Sequence, residues 1–338
     1  MNTPEQTVLI LGATGRFGAA ATRAFAAAGW RVLAQRRQPR AGASAAANVH
    51  WLDADLSDPA ALAARAAGAQ VVVHAMNPAA YTDAAWRAET AGMMRAAIDI
   101  GTRLGALLLF PGNVYNFGAG MPALLQEGTP QRPTTVKGQL RVELEALLAQ
   151  AHAATGLRSV VIRAGDFFGS GHGSLLDLVL AKDLRRGRVG LPGARDVATA
   201  WAYLPDLART FERVAQQHAR LEGAQVFHFS GHALNGQDWC EALAAIAREA
   251  GWLRPGKELK VAPLPWGLIR AGGLLLPSWA SLAQMRYLWT TPHRLANDRL
   301  TALIGPEPHT PLPQAARQAL KDLGWLADAT PPKPAFAH

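Results

Sequence analysis

The sequence predicts an α/β protein built on a doubly wound parallel β-sheet, and two observations indicate this class. Over the first 165 residues, short apolar segments rich in Val, Leu and Ile alternate with longer Ala-rich segments. Such alternation is typical of β-α-β units, whose helices cover both faces of a parallel sheet. The chain has 338 residues, 49% of them apolar and 17% charged, so it is long enough to add a second, smaller lobe.

The predicted elements of the first part follow in chain order. Strands are expected at 7–11, 31–35, 49–52, 71–73, 106–110 and 159–163. Helices are expected at 16–28, from 58 onward, at 84–103 and at 137–154. Gly29 is a typical helix stop, and Pro59 stands early in its helix, where the missing N–H is tolerated. The pair Pro111-Gly112 is expected to break the fifth strand.

The pattern loosens beyond residue 165. A glycine-rich loop at 169–173 precedes predicted helices at 206–218 and 238–250, and an apolar segment at 225–229 is a candidate strand of the main sheet. Proline-rich joints then separate short helices. We therefore expect residues 166–326 to form mainly a smaller C-terminal lobe, with one or two strands returned to the main sheet. Residues 327–338 are expected to be a flexible tail.

Composition excludes several classes of protein. The single cysteine, Cys240, excludes a disulfide scaffold, and no Cys/His spacing predicts a metal site. The net charge of +9 favours anionic partners, but it is spread along the chain, so we expect no nucleic-acid partner. The N-terminus lacks a secretion signal, which favours a cytoplasmic protein. The apolar segment 263–282 is interrupted by Arg270 and prolines, so we expect no membrane partner.

The strongest motif is a glycine-rich turn that follows the first predicted strand and opens the first helix. It reads Gly12-Ala13-Thr14-Gly15-Arg16-Phe17-Gly18. Glycines at this spacing allow a tight turn and a close approach of the backbone to a diphosphate. The N–H groups and the positive dipole end of the helix then face the phosphates. The motif predicts dinucleotide binding.

Several further segments share their order and spacing with one family. They are Asp53-Ala-Asp55-Leu56, Val71-Val-Val-His-Ala75, Asn113-Val-Tyr115, Val161-Ile-Arg163 and Ala202-Tyr-Leu-Pro-Asp206-Leu-Ala. Together with the glycine-rich turn, they make the chain resemble the extended short-chain dehydrogenase/reductase family, which includes nucleotide-sugar epimerases and dehydratases. The resemblance covers roughly residues 7–250.

The resemblance implies roles for parts of the chain. Residues 1–165 would form the NAD(P)-binding domain, a Rossmann fold, and residues 166–326 would bind the substrate. Asp55 would accept a hydrogen bond from the adenine amino group, and Leu56 would lie beside the ring. Ala75 and Met76 would line the cofactor channel. The helices at 84–103 and 137–154 would form the interface of a homodimer.

The residues that end the second strand predict which dinucleotide is preferred. NAD-binding folds commonly place an acidic side chain there, against the adenosine ribose. This chain has Arg36 and Arg37 instead, and guanidinium groups attract a ribose 2′-phosphate. With Arg16 nearby in the turn, NADP(H) is expected rather than NAD(H). The alternative is that 36–40 is only a solvated basic turn.

The expected catalytic positions depart from the family pattern, a Tyr-x-x-x-Lys pair on a helix with a Ser or Thr at the preceding strand end. An alignment that keeps Gly138 and Glu145 puts Lys137 at the tyrosine place and Arg141 at the lysine place. A rival alignment puts Lys137 at the lysine place and Pro133 at the tyrosine place. The tyrosine is missing in both. The strand end reads Phe110-Pro111-Gly112-Asn113, without the hydroxyl.

Other side chains are candidates to replace the missing ones. The like charge of Arg141, one helical turn away, and partial burial are expected to lower the pKa of Lys137 and make it a proton donor. Arg141 would hold the ribose hydroxyls. Tyr115 is a spare phenol, and Asn113 is a donor to a developing oxyanion. The alternatives are an exposed basic helix face for Lys137 and Arg141, and a wall residue for Tyr115.

The substrate side is read from the second lobe. Asp166 and Phe167 follow the sixth strand and are expected to line the cavity, while Arg195 and Tyr203 are expected to face the substrate. The sequence thus predicts an NADP(H)-dependent oxidoreductase, or an epimerase/dehydratase-like enzyme, that acts on a carbonyl or hydroxyl group of a small molecule or a nucleotide sugar. The alternative hypothesis is a non-catalytic NADP(H)-binding regulator that senses redox state.

Overall fold

The computed structural model of the protein describes residues 6–38 and 46–327. The strands, in chain order, are β1 Thr7–Leu11, β2 Arg31–Arg36, β3 Val49–Asp53, β4 Val71–His74, β5 Leu107–Asn113, β6 Leu124–Leu125, β7 Ser159–Ala164, β8 Asp166–Phe168, β9 Arg188–Leu191, β10 Thr199–Tyr203, β11 Ala224–His228, β12 His232–Leu234, β13 Lys260–Pro263 and β14 Arg294–Leu295. The helices are α1 Arg16–Ala27, α2 Pro59–Arg65, α3 Asp83–Leu104, α4 Val136–Thr155, α5 Leu204–Gln216, α6 Gly236–Glu249, α7 Trp266–Gly272, α8 Pro277–Gln284, α9 Asp298–Ile304 and α10 Leu312–Asp322. Parts of the predicted basic turn (39–40) and tail (328–338) lie outside the described residues.

The main sheet has seven parallel strands in the order β3-β2-β1-β4-β5-β7-β11. The chain moves outward from β1 to β3, returns to β4 on the other side of β1, and then moves outward again. The predicted doubly wound parallel sheet is confirmed. The strand order reverses between β1 and β4, and in such sheets ligands bind at the carboxyl ends of the strands beside that reversal.

Two apolar layers enclose this sheet. On one face α1 packs against α5, and their phenylalanines meet, with the rings of Phe17 and Phe211 4.8 Å apart. On the other face α2, α3 and α4 pack side by side and bury Met94, Leu144 and Leu148. Both faces of the strands are therefore covered, which explains why their sequences are continuous apolar runs instead of alternating patterns.

The predicted break of the fifth strand is wrong. β5 continues through Pro111 and Gly112 to Asn113, and these residues pair with β7. The reason is that β5 pairs with β4 only as far as Leu109. Proline is tolerated where a strand has lost one neighbour, and the Pro111 carbonyl instead accepts a hydrogen bond from Arg141 Nη1 at 3.2 Å.

The second part of the chain contributes most of a second core, which Val114, Phe117, Met121 and Leu125 join, and it also completes the main sheet. The candidate strand at 225–229 is β11, which pairs with β7 at the sheet edge. The remaining strands form small sheets, β12-β10-β8, β13-β9 and β14-β6. These enclose a second apolar core, in which Trp201 and Trp239 meet with ring centroids 5.0 Å apart.

The apolar segment 263–282 is mainly a hairpin of two short helices. α7 ends at Gly272 and α8 begins at Pro277, with three consecutive leucines in the connection. Of the helices that the structure describes, none combines the length and the apolar character needed to cross a bilayer.

Candidate functional site

The glycine-rich turn lies at the carboxyl end of β1, beside the strand-order reversal. Gly12 has a φ of +77°, and its N–H donates to Gln35 Oε1 at 2.9 Å. A Cβ added at Gly18 would lie 2.2 Å from the carbonyl oxygen of Gly12. Only glycine fits at these two positions, because one needs a left-handed backbone and the other needs close contact between helix and turn.

The beginning of α1 has the properties of an anion site. Gly15 is the N-cap, no side chain caps the helix, and its first turn contains no acidic residue. Phe17 is buried against α5, whereas Thr14 is exposed beside the turn. The main-chain N–H groups and the positive dipole end at this point fit a diphosphate bridge.

The two arginines that end β2 differ in their surroundings. The Arg36 Nε lies 2.5 Å from Asp53 Oδ1 on the neighbouring strand, and its guanidinium stacks on Trp51. Within the described part of the chain, Arg36 Nη1 is buried without a hydrogen-bond partner. Arg37 is exposed. The charge of Arg36 is thus partly compensated by Asp53, a pairing that the sequence reading did not foresee.

The other predicted cofactor residues lie at the same edge of the sheet. Asp55 is exposed, and its carboxylate accepts from the Ser57 N–H, a contact that lowers the pKa of Asp55. Leu56 and Met76 are half-buried against the core on the α3 side. Ala75 continues the β4 alignment by donating its N–H to the Leu11 carbonyl at 2.9 Å.

Lys137 is not on an exposed basic face. Its side chain is 1% exposed, and Nζ lies 2.6 Å from Asp83 Oδ1 at the beginning of α3. The ammonium also lies 4.4 Å from the centre of the Tyr81 ring. Burial lowers the pKa of Lys137, and Asp83 opposes that effect. The expectation that the like charge of Arg141 contributes to this shift is therefore wrong, since the contacts of Lys137 are with a carboxylate and aromatic rings.

Arg141 is also buried, so the exposed-face alternative is wrong for this residue as well. Its guanidinium lies 5.2 Å from the ring centres of both Trp86 and Phe110, and Nη1 donates to the Pro111 carbonyl. Among the described residues its Nε has no hydrogen-bond partner. A buried donor without a partner usually has one in the functional state, so Arg141 fits the predicted role of holding ribose hydroxyls.

Tyr115 and Asp166 face each other across the end of β5 and the beginning of the second lobe. Burial, followed by the negative charge of Asp166, raises the pKa of Tyr115 to about 12. Burial raises the pKa of Asp166 to about 6, while the Trp289 Nε1–H, which donates to Asp166 Oδ2 at 2.7 Å, opposes the shift. Asn113 contributes through its Oδ1, which accepts from the Tyr115 N–H at 3.0 Å.

Three more side chains complete this Tyr115–Asp166 cluster. The positive charge of Arg16 acts on both Tyr115 and Asp166, and its Nη1 donates to the Gly169 carbonyl at 3.4 Å. The Tyr81 phenol interacts electrostatically with that of Tyr115. Tyr287 donates to the Tyr115 carbonyl at 3.4 Å. The glycine-rich turn and the second lobe therefore meet at one polar cluster.

The structure does not bring all predicted substrate residues to this cluster. Arg195 is exposed and donates to Gln237 Oε1. Tyr203 is 3% exposed, and its ring packs on Phe168 in the second core. Phe167 is half-buried on β8, next to Asp166. The contacts described for Arg195 and Tyr203 are thus outside the cluster, and their role in facing a substrate stays a prediction.

Sequence reasoning missed several members of the site. They are Asp83, Tyr81, Tyr287 and Trp289, none of which stands in a local motif. Within the two described ranges, 6–38 and 46–327, no group of three or more His, Cys, Asp or Glu side chains is arranged to hold a metal ion.

Comparisons with known proteins agree with this geometry. A model of the NAD dependent epimerase/dehydratase family matches residues 8–228. No curated protein sequence matches the chain at a significant level. The fold is similar to that of UDP-glucose 4-epimerase from Thermotoga maritima, with 15% identity and a TM-score of 0.68 over 94% of this chain and 98% of that one. It is also similar to the Bordetella bronchiseptica enzyme WbmH, solved in complex with NAD+, with 17% identity and a TM-score of 0.69 over 94% and 98%.

A protein of Burkholderia cenocepacia J2315 described as a candidate epimerase is 20% identical, with a TM-score of 0.70 over 95% of this chain and 98% of that one. At these identities the similar structures establish the fold alone. The family model covers well over half of the 338 residues, from β1 to β11. The chain belongs to the NAD dependent epimerase/dehydratase family.

Proposed function

We propose that the protein is a dinucleotide-dependent oxidoreductase, or an epimerase/dehydratase-like enzyme, that acts on a carbonyl or hydroxyl group of a small molecule or nucleotide sugar. The observation that carries the proposal is the Tyr115–Asp166 cluster. It pairs a carboxyl whose pKa is raised to about 6 with a phenol whose pKa is raised to about 12, where the cofactor domain meets the second lobe. Perturbed groups of this kind concentrate at functional sites.

The residues present fit a dinucleotide. The N–H groups around Gly15 would bind the diphosphate, Asp55 the adenine amino group, and the partnerless Nε of Arg141 a ribose hydroxyl. A bound nicotinamide supplies hydride transfer to or from the substrate carbon. We further propose NADP(H) as the preferred form. The support is that Arg36 and the exposed Arg37 stand at the end of β2, the strand end that meets the adenosine ribose in NAD-binding folds, and that guanidinium groups attract a 2′-phosphate. Asp53 reduces that preference by compensating Arg36.

The proton chemistry is assigned to Asp166 and Tyr115. A carboxyl with a pKa of about 6 exchanges protons near neutral pH, so Asp166 is proposed to take the proton from, or return it to, the substrate oxygen. Tyr115 stays protonated at neutral pH and would donate a hydrogen bond to that oxygen. We no longer assign the role of proton donor to Lys137, because its ammonium is held by Asp83. Its proposed role is to position Asp83 at the beginning of α3.

One observation favours the second hypothesis, a non-catalytic regulator. In the alignment that keeps Gly138 and Glu145, Lys137 takes the place of the family tyrosine, and its ammonium is buried in an ion pair with Asp83. A regulator would bind NADPH without turning over any carbonyl compound. Turnover therefore separates the two hypotheses, and binding alone does not.

The test has two readouts over a panel of carbonyl compounds and nucleotide sugars: NADPH oxidation, measured by stopped-flow, and product formation, measured by chromatography. The second readout is needed because an epimerase or dehydratase returns the hydride to its substrate and leaves no net oxidation of the cofactor. We expect Asp166→Asn and Tyr115→Phe to lower kcat by about 10²- to 10⁴-fold with NADPH affinity retained, the range for general acid–base catalysis. The exposed Asp196→Asn is the matched control. Lys137→Met is expected to change kcat less than tenfold. Loss of turnover in Lys137→Met, but not in Asp166→Asn or Tyr115→Phe, would identify Lys137 as the proton donor. NADPH binding without any turnover in the wild type would favour the regulator.

α3 and α4 pack together and leave a groove of about 270 Å³, lined by residues of both helices such as Arg95 and Leu140. We propose that these helices form a homodimer interface, which sedimentation equilibrium would test. The single cysteine, Cys240, is buried and unpaired, which agrees with a reducing cytoplasm as the compartment.

A further inference from the structure

The α7–α8 hairpin exposes an unusual concentration of apolar side chains. The exposed fractions are 69% for Leu268, 88% for Leu274, 87% for Leu275, 47% for Leu276 and 41% for Trp279. Of the eight large apolar side chains that are exposed in the described residues, these five lie within twelve consecutive positions. Single exposed leucines are ordinary, but such a cluster marks a surface that contacts something apolar.

The leucines are held outward by an ordered turn. The N–H groups of Leu275 and Leu276 both donate to the Gly272 carbonyl. A Cβ at Gly272 would lie 2.5 Å from the Trp279 ring, so the two helices are in close contact at this point. The apolar tip is therefore a formed part of the fold.

The chain segment that contains the hairpin is basic, which favours an anionic partner. Residues 252–291 contain five basic side chains and one acidic residue, Glu258. The five are all exposed: Arg254, Lys257, Lys260, Arg270 and Arg286. Exposed leucines and a tryptophan in the same segment as exposed basic side chains are the combination by which short amphipathic elements bind anionic lipid headgroups.

We propose that the α7–α8 hairpin docks onto the surface of an anionic lipid membrane. Its helices have seven and eight residues, too short to cross a bilayer but sufficient to lie in the headgroup region. The expectation of no membrane partner rested on the interruption of the apolar segment by Arg270 and prolines, and that interruption bears only on spanning. The proposal does not depend on the proposed catalytic function.

The hairpin is connected to both parts of the candidate site. On α8, Ser281 Oγ and Gln284 Nε2 each donate to the Asp83 carboxylate at 3.0 Å, and Asp83 holds Lys137. On α7, Trp266 stacks on Trp289, whose Nε1 donates to Asp166. The hairpin and the candidate site are therefore joined by direct side-chain contacts.

The first test is co-sedimentation with vesicles of phosphatidylcholine, with and without phosphatidylglycerol. We expect binding to the anionic vesicles that weakens in high salt, and a loss of about tenfold or more in the double variant Leu274→Ser/Leu275→Ser. Leu178→Ser is the matched control, because Leu178 is 61% exposed but lies outside the hairpin. The same affinity for all three proteins, or no binding by the wild type, would overturn the proposal.

A second measurement reports how deeply the leucine-rich end of the hairpin inserts into the lipid surface. Leu275→Cys can be labelled with an environment-sensitive fluorophore, because Cys240 is buried. On anionic vesicles we expect a blue shift at position 275 and none at Leu178→Cys. If sedimentation instead shows a dimer that Leu274→Ser/Leu275→Ser dissociates, without vesicle binding, the hairpin is an interface between copies and the proposal is wrong. NADPH binding should be unchanged in the hairpin variants, so this result is independent of the catalytic tests.

Discussion

The glycine-rich turn and the Tyr115–Asp166 cluster are two parts of the candidate site that are built in different ways. In the turn, the functional groups are main-chain N–H groups within seven consecutive residues, and glycine is needed for steric reasons. In the cluster they are side chains from distant segments: Asp166 and its donor Trp289 are 123 residues apart. Local sequence can specify a backbone shape, whereas a side-chain constellation depends on how separate elements pack.

The largest expected effect sharpens the first half of this comparison. Gly18→Ala places a methyl group 2.2 Å from the Gly12 carbonyl oxygen, so the turn must open and misplace its N–H groups. We expect NADPH affinity, measured by calorimetry, to fall at least 100-fold, or about 3 kcal/mol.

Gly92→Ala is the matched control, because a Cβ there meets nothing within 4 Å and alanine favours a helix. We expect Gly92→Ala to bind NADPH like the wild type. If Gly18→Ala did the same, the diphosphate would have to bind elsewhere.

An intermediate effect concerns the cost of burying Asp166. Its folded pKa of about 6 lies above the ordinary value of 3.8, so folding penalises the ionised form. The penalty is absent below pH 4, grows between pH 4 and 6 and is complete above pH 6. We expect Asp166→Asn to be more stable than the wild type by about 1–3 kcal/mol at pH 8, and not at pH 4.

Urea unfolding at the two pH values measures this difference, with the exposed Asp196→Asn as control. A catalytic carboxyl that is destabilising for the fold would distinguish the cluster from a structural ion pair. Equal stabilities of Asp166→Asn and the wild type at pH 8 would contradict the burial on which the proposed proton transfer depends.

The smallest expected effect concerns the pair Arg36 and Asp53, at the ends of β2 and β3 beside the glycine-rich turn. Asp53→Asn removes the carboxylate that compensates Arg36, and we expect NADPH affinity to rise about three- to tenfold with NADH affinity nearly unchanged. Arg37→Ala should shift the ratio of the two affinities in the opposite direction. Equal affinities for NADPH and NADH in the wild type would refute the NADP(H) preference.

The sequence was sufficient to predict the parallel sheet and the glycine-rich turn, because apolar runs and glycine spacing are local signals. It was insufficient for β5, since whether Pro111 is tolerated depends on β5 losing its β4 neighbour after Leu109. It was insufficient to predict the ion pair of Lys137, because Asp83 lies 54 residues earlier and contacts Lys137 only through the packing of α3 against α4. The Arg36–Asp53 pair needs the register of β2 and β3, which no single segment contains.

The late position of β11 has a consequence for how the chain reaches its native state. β7 is complete at residue 164, but its outer neighbour is not made until residues 224–228. During synthesis β7 is therefore an unpaired edge while some sixty residues of the second lobe emerge, and such edges invite aggregation. Ribosome-bound chains that stop before Ala224 should depend on chaperones. The chain should leave these chaperones when β11 pairs with β7.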